Sequence, residues 1–234
     1  MSSEYLIEFV DVWKKYAMHH LHHRSLREDI VSIFKKDSGE TLKNTEFWAL
    51  QRINLSVRRG ECIGLYGPNG SGKSTILKII AAVTRPSRGD VTVRGRVAPL
   101  IELGAGFHPD LSGRENIYLN GAIVGMSLKE IKNKIDEIIE FSELSDFIEM
   151  PVKKYSSGMY LRLGFSVAVH SSADILLMDE ILAVGDARFQ KKCLDKIRQL
   201  KPNRCMVLVS HSLQMLSDFA DAIIYIEKGQ IKEG

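Results

Sequence analysis

The chain has 234 residues, 26% charged and 44% hydrophobic, with a formal net charge of +3. That length buries a full core as one domain, or one domain with a subdomain, and so small a charge offers no electrostatic footprint for nucleic acid. No apolar run reaches the roughly 18 residues that cross a bilayer, residues 1–4 show no signal-peptide pattern, and the three scattered cysteines (Cys62, Cys193, Cys205) lack metal or disulfide spacing, so reduced thiols in a cytosolic chain are expected.

Tyr5–Val12 reads as a strand. Residues 17–46 then break the pattern, with four histidines (His19, His20, His22, His23) that have no acid or cysteine at ligand spacing. Within this insert Ser25-Leu26-Arg27-Glu28 forms a capping box. Leu26, Ile30, Ile33 and Phe34 fall on one helical face, and Asp37-Ser38-Gly39 ends the helix. From Leu50–Val57 onward strands and helices alternate. Glu61–Tyr66, Asp90–Arg94 and Val97–Glu102 read as strands, the last two joined at Gly95. Residues 104–113 form a Gly/Pro-rich loop. Arg114–Gly125, Ser127–Phe141 and Leu144–Ile148 are helical, as are residues 157–171. Ile175–Met178, Met206–Ser210 and Ala222–Ile226 fit buried parallel strands, separated by helices at Lys191–Leu200 and Leu213–Ala220. This alternation predicts an α/β core built on a parallel sheet, with the helix-rich middle as a separate lobe.

Gly67-Pro68-Asn69-Gly70-Ser71-Gly72-Lys73-Ser74-Thr75 carries the chemistry. It fits G-x-x-x-x-G-K-[ST] and lies between the apolar run Cys62–Tyr66 and the helix former Ile76–Ala82. The glycines let backbone N–H groups wrap a phosphate, and the helix N-terminus adds partial positive charge. Lys73 reaches the β- and γ-phosphates, and the Ser74 hydroxyl suits Mg²⁺. Ile175–Glu180 is an apolar run ending in two acids. Asp179 suits Mg²⁺ through its water shell, and Glu180 suits the general base that deprotonates an attacking water. His211 ends a further strand and can donate to a γ-phosphate. Tyr155-Ser156-Ser157-Gly158-Met159 places small residues before a helix N-terminus, a second anion site.

In this order the motifs resemble the ATP-binding cassette (ABC) ATPases over nearly the whole chain outside 17–46. The resemblance implies a P-loop NTPase (ABC ATPase) core with an antiparallel β-subdomain and a helical subdomain over about 112–157, in one nucleotide-binding domain spanning 1–234. It also implies a head-to-tail homodimer with ATP between one copy's phosphate loop and the other's Ser156, Ser157 and Gly158. Asp186 would lie at the seam. Tyr16 matches the position that stacks on adenine, with Phe47 and Trp48 as rivals because the insert disturbs the spacing. Glu102, in Leu100–Gly104, stands where the family usually has a glutamine, and a carboxylate there can hold Mg²⁺. Glu102–Pro109, Gly113–Ile117 and the Ser-Ser-Gly-Met signature resemble polysaccharide-exporter ATPases, the O-antigen type (the Wzt family) ahead of the teichoic-acid and capsule types. That branch implies a membrane permease partner, a lipid-linked polysaccharide as cargo, no nucleic acid, and a place at the cytoplasmic face of the inner membrane. Its C-terminal carbohydrate-binding domain would be absent or removed. A soluble ABC ATPase is the alternative. The apolar stripe of the insert suggests a face toward permease and membrane. A Leu26→Asp/Ile30→Asp variant is expected to lose export while keeping basal ATPase activity, and normal export by it would sink that assignment.

Overall fold

The computed structural model describes residues 5–17, 45–100, 104, 106–179 and 185–232. The expected insert helix, Glu102 and Glu180 lie outside the described residues.

Three strands form an antiparallel sheet in the order β2-β1-β4: β1 (Tyr5–Ala17), β2 (Glu46–Arg58) and β4 (Arg88–Val93). The alternation of Ile7, Phe9 and Val12 toward the core fails at Asp11, which adopts φ 47° and marks a bulge against both neighbours. The Asp11 N–H donates to Asn54 Oδ1 at 2.9 Å, which satisfies the group the bulge leaves unpaired. The extra residue resets the register. The strand therefore continues past Val12, its expected end, to Ala17, and Tyr16 comes to lie opposite Phe47.

The second sheet runs β5-β6-β7-β3-β8-β9: β5 (Val97–Pro99), β6 (Ile175–Asp179), β7 (Cys205–Val209), β3 (Cys62–Tyr66), β8 (Ala222–Glu227) and β9 (Gln230–Lys232). All pairs are parallel except the β8–β9 hairpin. Strands β4 and β5, read as neighbours joined at Gly95, go to different sheets. Asp174 packs against Gly95 where a side chain would stand and accepts the Arg96 N–H at 3.0 Å, which directs the chain onto β6. Strand β8 is not buried on both faces as expected: Ile223 and Tyr225 are 39% and 37% exposed. It lies next to the sheet edge, paired on one side to the three-residue β9.

Helix α1 (Lys73–Ile80) packs Ile76, Leu77, Ile79 and Ile80 into a core shared by both sheets. Helices α2 (Gly113–Ile123) and α3 (Leu128–Ser142) each start at a serine with a complete capping box, Ser112/Glu115 and Ser127/Glu130. With helix α4 (Ser157–His170) they enclose a separate cluster that includes Ile117, Ile131, Ile138, Leu163 and Val167. Helix α4 is a shared wall, because its Phe165, Ala168 and Val169 belong to the cluster beneath the parallel sheet. Helices α5 (Ala187–Leu200) and α6 (Leu213–Phe219) complete that cluster through Phe189, Cys193, Ile197 and Leu216. Each fully buried Leu, Ile or Phe contributes about 1.5–3 kcal/mol, so α4 couples the stability of the two clusters.

The three cysteines are free and buried. Burial pushes each thiol up to about 12, leaving almost no thiolate near neutral pH. An aromatic disulfide reagent at pH 8 is expected to release no chromophore from the native protein and three equivalents after denaturation. Rapid release from the native chain would contradict this packing.

Candidate nucleotide-binding site

The carboxyl ends of β3, β6 and β7 open onto a cleft of about 380 Å³, the position at which open α/β sheets bind ligands. Residues Asn69 to Thr75 form its floor, Asp179 and His211 one wall, and Tyr16 and Phe47 the rim. The loop follows β3 directly and enters α1 through Gly72, which takes φ 114° and provides no side-chain cap. No side chain caps this helix start and no acidic side chain lies in its first turn, where the Thr75 and Ile76 N–H groups donate to the Gly72 carbonyl at 3.0 and 3.1 Å, so the partial positive charge of the helix N-terminus is left for a ligand.

Three backbone neighbours hold the loop in shape. A Cβ on Gly67 would strike the Ile226 carbonyl, and one on Gly72 would come within 2.7 Å of both the Ala49 carbonyl and Leu50. The Gly229 N–H donates to the Ser71 carbonyl at 2.9 Å, and the Gln51 N–H donates to the Gly229 carbonyl at 2.7 Å. Lys228 and Gly229 both have positive φ, as a tight two-residue hairpin requires. The β8–β9 turn and the middle of β2 therefore support the phosphate loop from beneath.

Lys73 is buried, and its Nζ donates to the carbonyls of Gly67 and Pro68 at 2.7 and 2.9 Å, which holds the ammonium across the loop. The Ser74 hydroxyl donates to Asp179 Oδ2 at 3.4 Å, so two of the three candidate Mg²⁺ ligands meet at one point. The Ser71 Oγ is buried without a hydrogen-bond partner among the described residues, and a Cβ on Gly70 would meet nothing. An orphaned hydroxyl, a helix N-terminus without a side-chain cap and a held ammonium fit a polyphosphate, and the Ser74–Asp179 pair fits its divalent cation. At the rim, Tyr16 and Phe47 rings lie 6.0 Å apart, and Lys14 sits 4.8 Å from the Tyr16 ring centroid. Trp48, the third candidate, instead packs edge-on against Trp13 at 5.3 Å.

Ser156, Ser157 and Gly158 do not line this cleft. Ser156 caps α4, accepting the Met159 N–H at 3.2 Å, and Ser156 and Ser157 are exposed. One turn further, Arg162 donates to Glu143 at 3.1 Å and to Asp186 at 2.8 Å. Asp186 caps α5 through the Phe189 N–H, and that bond together with Arg162 holds its carboxyl below the usual range. Glu143 ends α3 in a left-handed conformation and also accepts from Arg188 and Lys192. Tyr160 donates to the Gly104 carbonyl at 2.8 Å and packs on Phe107. Sequence reasoning missed Glu143, Tyr160 and Arg162, and the 24-residue gap between Arg162 and Asp186 gives no local signal of their pairing.

Gly229→Ala is expected to weaken binding of a fluorescent ATP analogue by about tenfold or more, although Gly229 lies far from the loop in sequence. The left-handed conformation alone costs an alanine about 1–2 kcal/mol, and its methyl would meet the Ala49 carbonyl at 2.6 Å. Unchanged affinity in a variant with a native circular dichroism spectrum would refute the support role of the hairpin.

Residues 50–183 match the ABC transporter family. The chain is 44% identical over 231 residues to the "O-antigen export system ATP-binding protein RfbB" of Klebsiella pneumoniae, covering 98% of this chain and 93% of that protein. It is 42% identical over 234 residues to the "Teichoic acids export ATP-binding protein TagH" of Levilactobacillus brevis, covering all of this chain and 63% of the relative. The fold matches the dimeric, post-hydrolysis cassette MJ0796 bound to ADP and Pi with a TM-score of 0.73, over 97% of each chain at 22% identity. With a family match over more than half of the chain and relatives above 40% identity across nearly all of it, the chain belongs to the ABC transporter ATP-binding family.

Proposed function

We propose that this chain is the ATP-binding and hydrolysing subunit of an ABC exporter that moves a lipid-linked polysaccharide of the O-antigen type across the inner membrane, working at its cytoplasmic face. The observation that carries the ATPase reading is the convergence of Lys73, the orphaned Ser71 hydroxyl and the Ser74–Asp179 pair on one cleft. The cargo reading rests on the likeness to RfbB over 98% of the chain. The TagH likeness keeps a teichoic-acid exporter as the second reading.

In this reading the two aromatic rings at the rim receive adenine, and the loop N–H groups with Lys73 bind the β- and γ-phosphates. Ser74, Asp179 and Glu102 hold Mg²⁺, which supplies charge neutralisation on the transferred phosphoryl group. Glu180 takes the proton of the attacking water, and His211 donates to the γ-phosphate. Ser156, Ser157 and Gly158 act on the ATP of a second copy. The exposure of Ser156 and Ser157, and the place of all three outside the cleft of their own chain, support that division. A permease partner is supported by Leu119 and Ile123, which are 36% and 59% exposed on α2, with Ile123 packed beside Gly106. No helix among the described residues is long and apolar enough to cross a membrane.

Glu180→Gln is expected to cut kcat by about 10²–10⁴-fold while ATP shifts the protein to a dimer on size-exclusion chromatography. Near-normal turnover would refute Glu180 as the base. Affinity purification from detergent-solubilised membranes should recover a multispan permease, and its absence would favour a soluble ABC ATPase.

A further inference from the structure

A second cleft, of about 390 Å³, lies between the end of α3 and the outer face of α5. It is as large as the nucleotide cleft and shares no residue with it. On α5, Arg188, Lys191, Lys192, Asp195, Lys196 and Gln199 recur at three- and four-residue intervals, which places them on one face. Phe141 of α3 closes the other side. Four of these side chains are cations and one, Asp195, is a carboxylate already bonded to Arg198 at 3.1 Å. Two further counter-charges lie nearby: Glu143, which receives Arg188 at 2.8 Å and Lys192 at 3.3 Å and must also serve Arg162, and Glu137, whose charge acts on Lys196. Lys191 and Lys196 make no ion pair among the described residues.

The charge is thus unbalanced inside a concave surface, in a chain whose whole formal net charge is only +3. Lys196 is half-buried, with its ammonium 5.9 Å from the Phe141 ring centroid. Burial, reinforced by Arg204 and Lys134 and opposed by Glu137, lowers its pKa below the usual lysine value. An added anion would relieve that strain. The Phe141 ring already has Lys192 at 4.7 Å, so the cleft does not offer a free stacking face for a nucleobase. What it offers is several convergent N–H donors with the Gln199 amide beside them, which suits tetrahedral oxyanions.

We propose that this cleft is a second anion site, separate from the nucleotide cleft, that takes a phosphate-bearing ligand with two or more charged oxygens. The source is either a soluble phosphate compound or the headgroup of an anionic lipid. The site lies within one turn of Asp186, the cap of α5. Arg188 and Lys192 share Glu143 with Arg162 of α4, so an anion drawing on those two cations acts on the contact between α3, α4 and α5.

The experiment uses the full chain saturated with ADP, which blocks the phosphate loop. Calorimetric titration with inorganic pyrophosphate is compared between wild type and Lys191→Gln/Lys196→Gln. Flotation with phosphatidylglycerol-containing vesicles is run in parallel, against phosphatidylcholine alone. Both lysines lie outside the nucleotide cleft, so the variant is expected to keep its thermal midpoint and basal ATPase rate. Pyrophosphate binding that falls about tenfold or more in the variant supports the site with a soluble ligand. Binding to anionic vesicles alone, lost in the variant, supports it with a lipid headgroup. Equal binding by both proteins, or no binding of either probe by wild type, overturns it.

Discussion

The arrangement on which the site depends is the backing of the phosphate loop by main chain. Ile226, Ala49 and Gly229 stand where side chains on Gly67 and Gly72 would otherwise project, and the Gly229 N–H closes the contact on Ser71. The loop has a turn of its own, the Ser71 N–H on the Pro68 carbonyl at 3.2 Å, but that bond alone does not fix the paths of Gly67 and Gly72. The loop's conformation must therefore be imposed from outside. Here β2 of the antiparallel sheet and the β8–β9 turn of the parallel sheet impose it, so the junction between the sheets is also the foundation of the site.

The second organising element is α4. It buries one set of residues with α2 and α3 and another beneath the parallel sheet, while its first turns carry the signature, Tyr160 and Arg162. Tyr160 reaches Gly104 in the loop after β5, and Arg162 reaches both the end of α3 and the cap of α5. Packing and charged hydrogen bonds thus tie the turn that carries the signature serines both to the helical cluster and to the layer beneath the sheet. Because Arg162 and Glu143 are both largely shielded, with side chains 18% and 24% exposed, their contact is screened less than an ordinary surface pair, whereas Asp186 meets Arg162 from the solvent side.

Much of this was legible in the sequence where a local rule decides the outcome. The glycine spacing of 67–72 announces a backbone cradle, and the two Ser-x-x-Glu boxes announce the starts of α2 and α3. An apolar strand ending in Asp179 announces an acid at the carboxyl end of the sheet. What escaped depended on distant partners. The bulge at Asp11 carries β1 to Ala17 and sets Tyr16 against Phe47, but only Asn54 and the two flanking strands make that bulge affordable. The separation of β4 from β5 turns on Asp174, far along the chain. Strand β9 has three residues and no periodicity to read. The choice among Tyr16, Phe47 and Trp48 narrowed only when Trp13 was seen to engage Trp48.

The support of the phosphate loop by residues 226–229 also has a consequence for biosynthesis. The motif leaves the ribosome early, at residues 67–75, yet β3 before it lies between β7 and β8, strands made more than a hundred residues later. Until those strands emerge, the nascent chain contains every glycine of the loop but neither the sheet that positions it nor the turn that props it. Such long-range pairing is slow and exposes apolar strands while it waits. The capacity to hold a nucleotide thus arises only after residues 205–232 have emerged, and until then the apolar strands of the sheet wait unpaired.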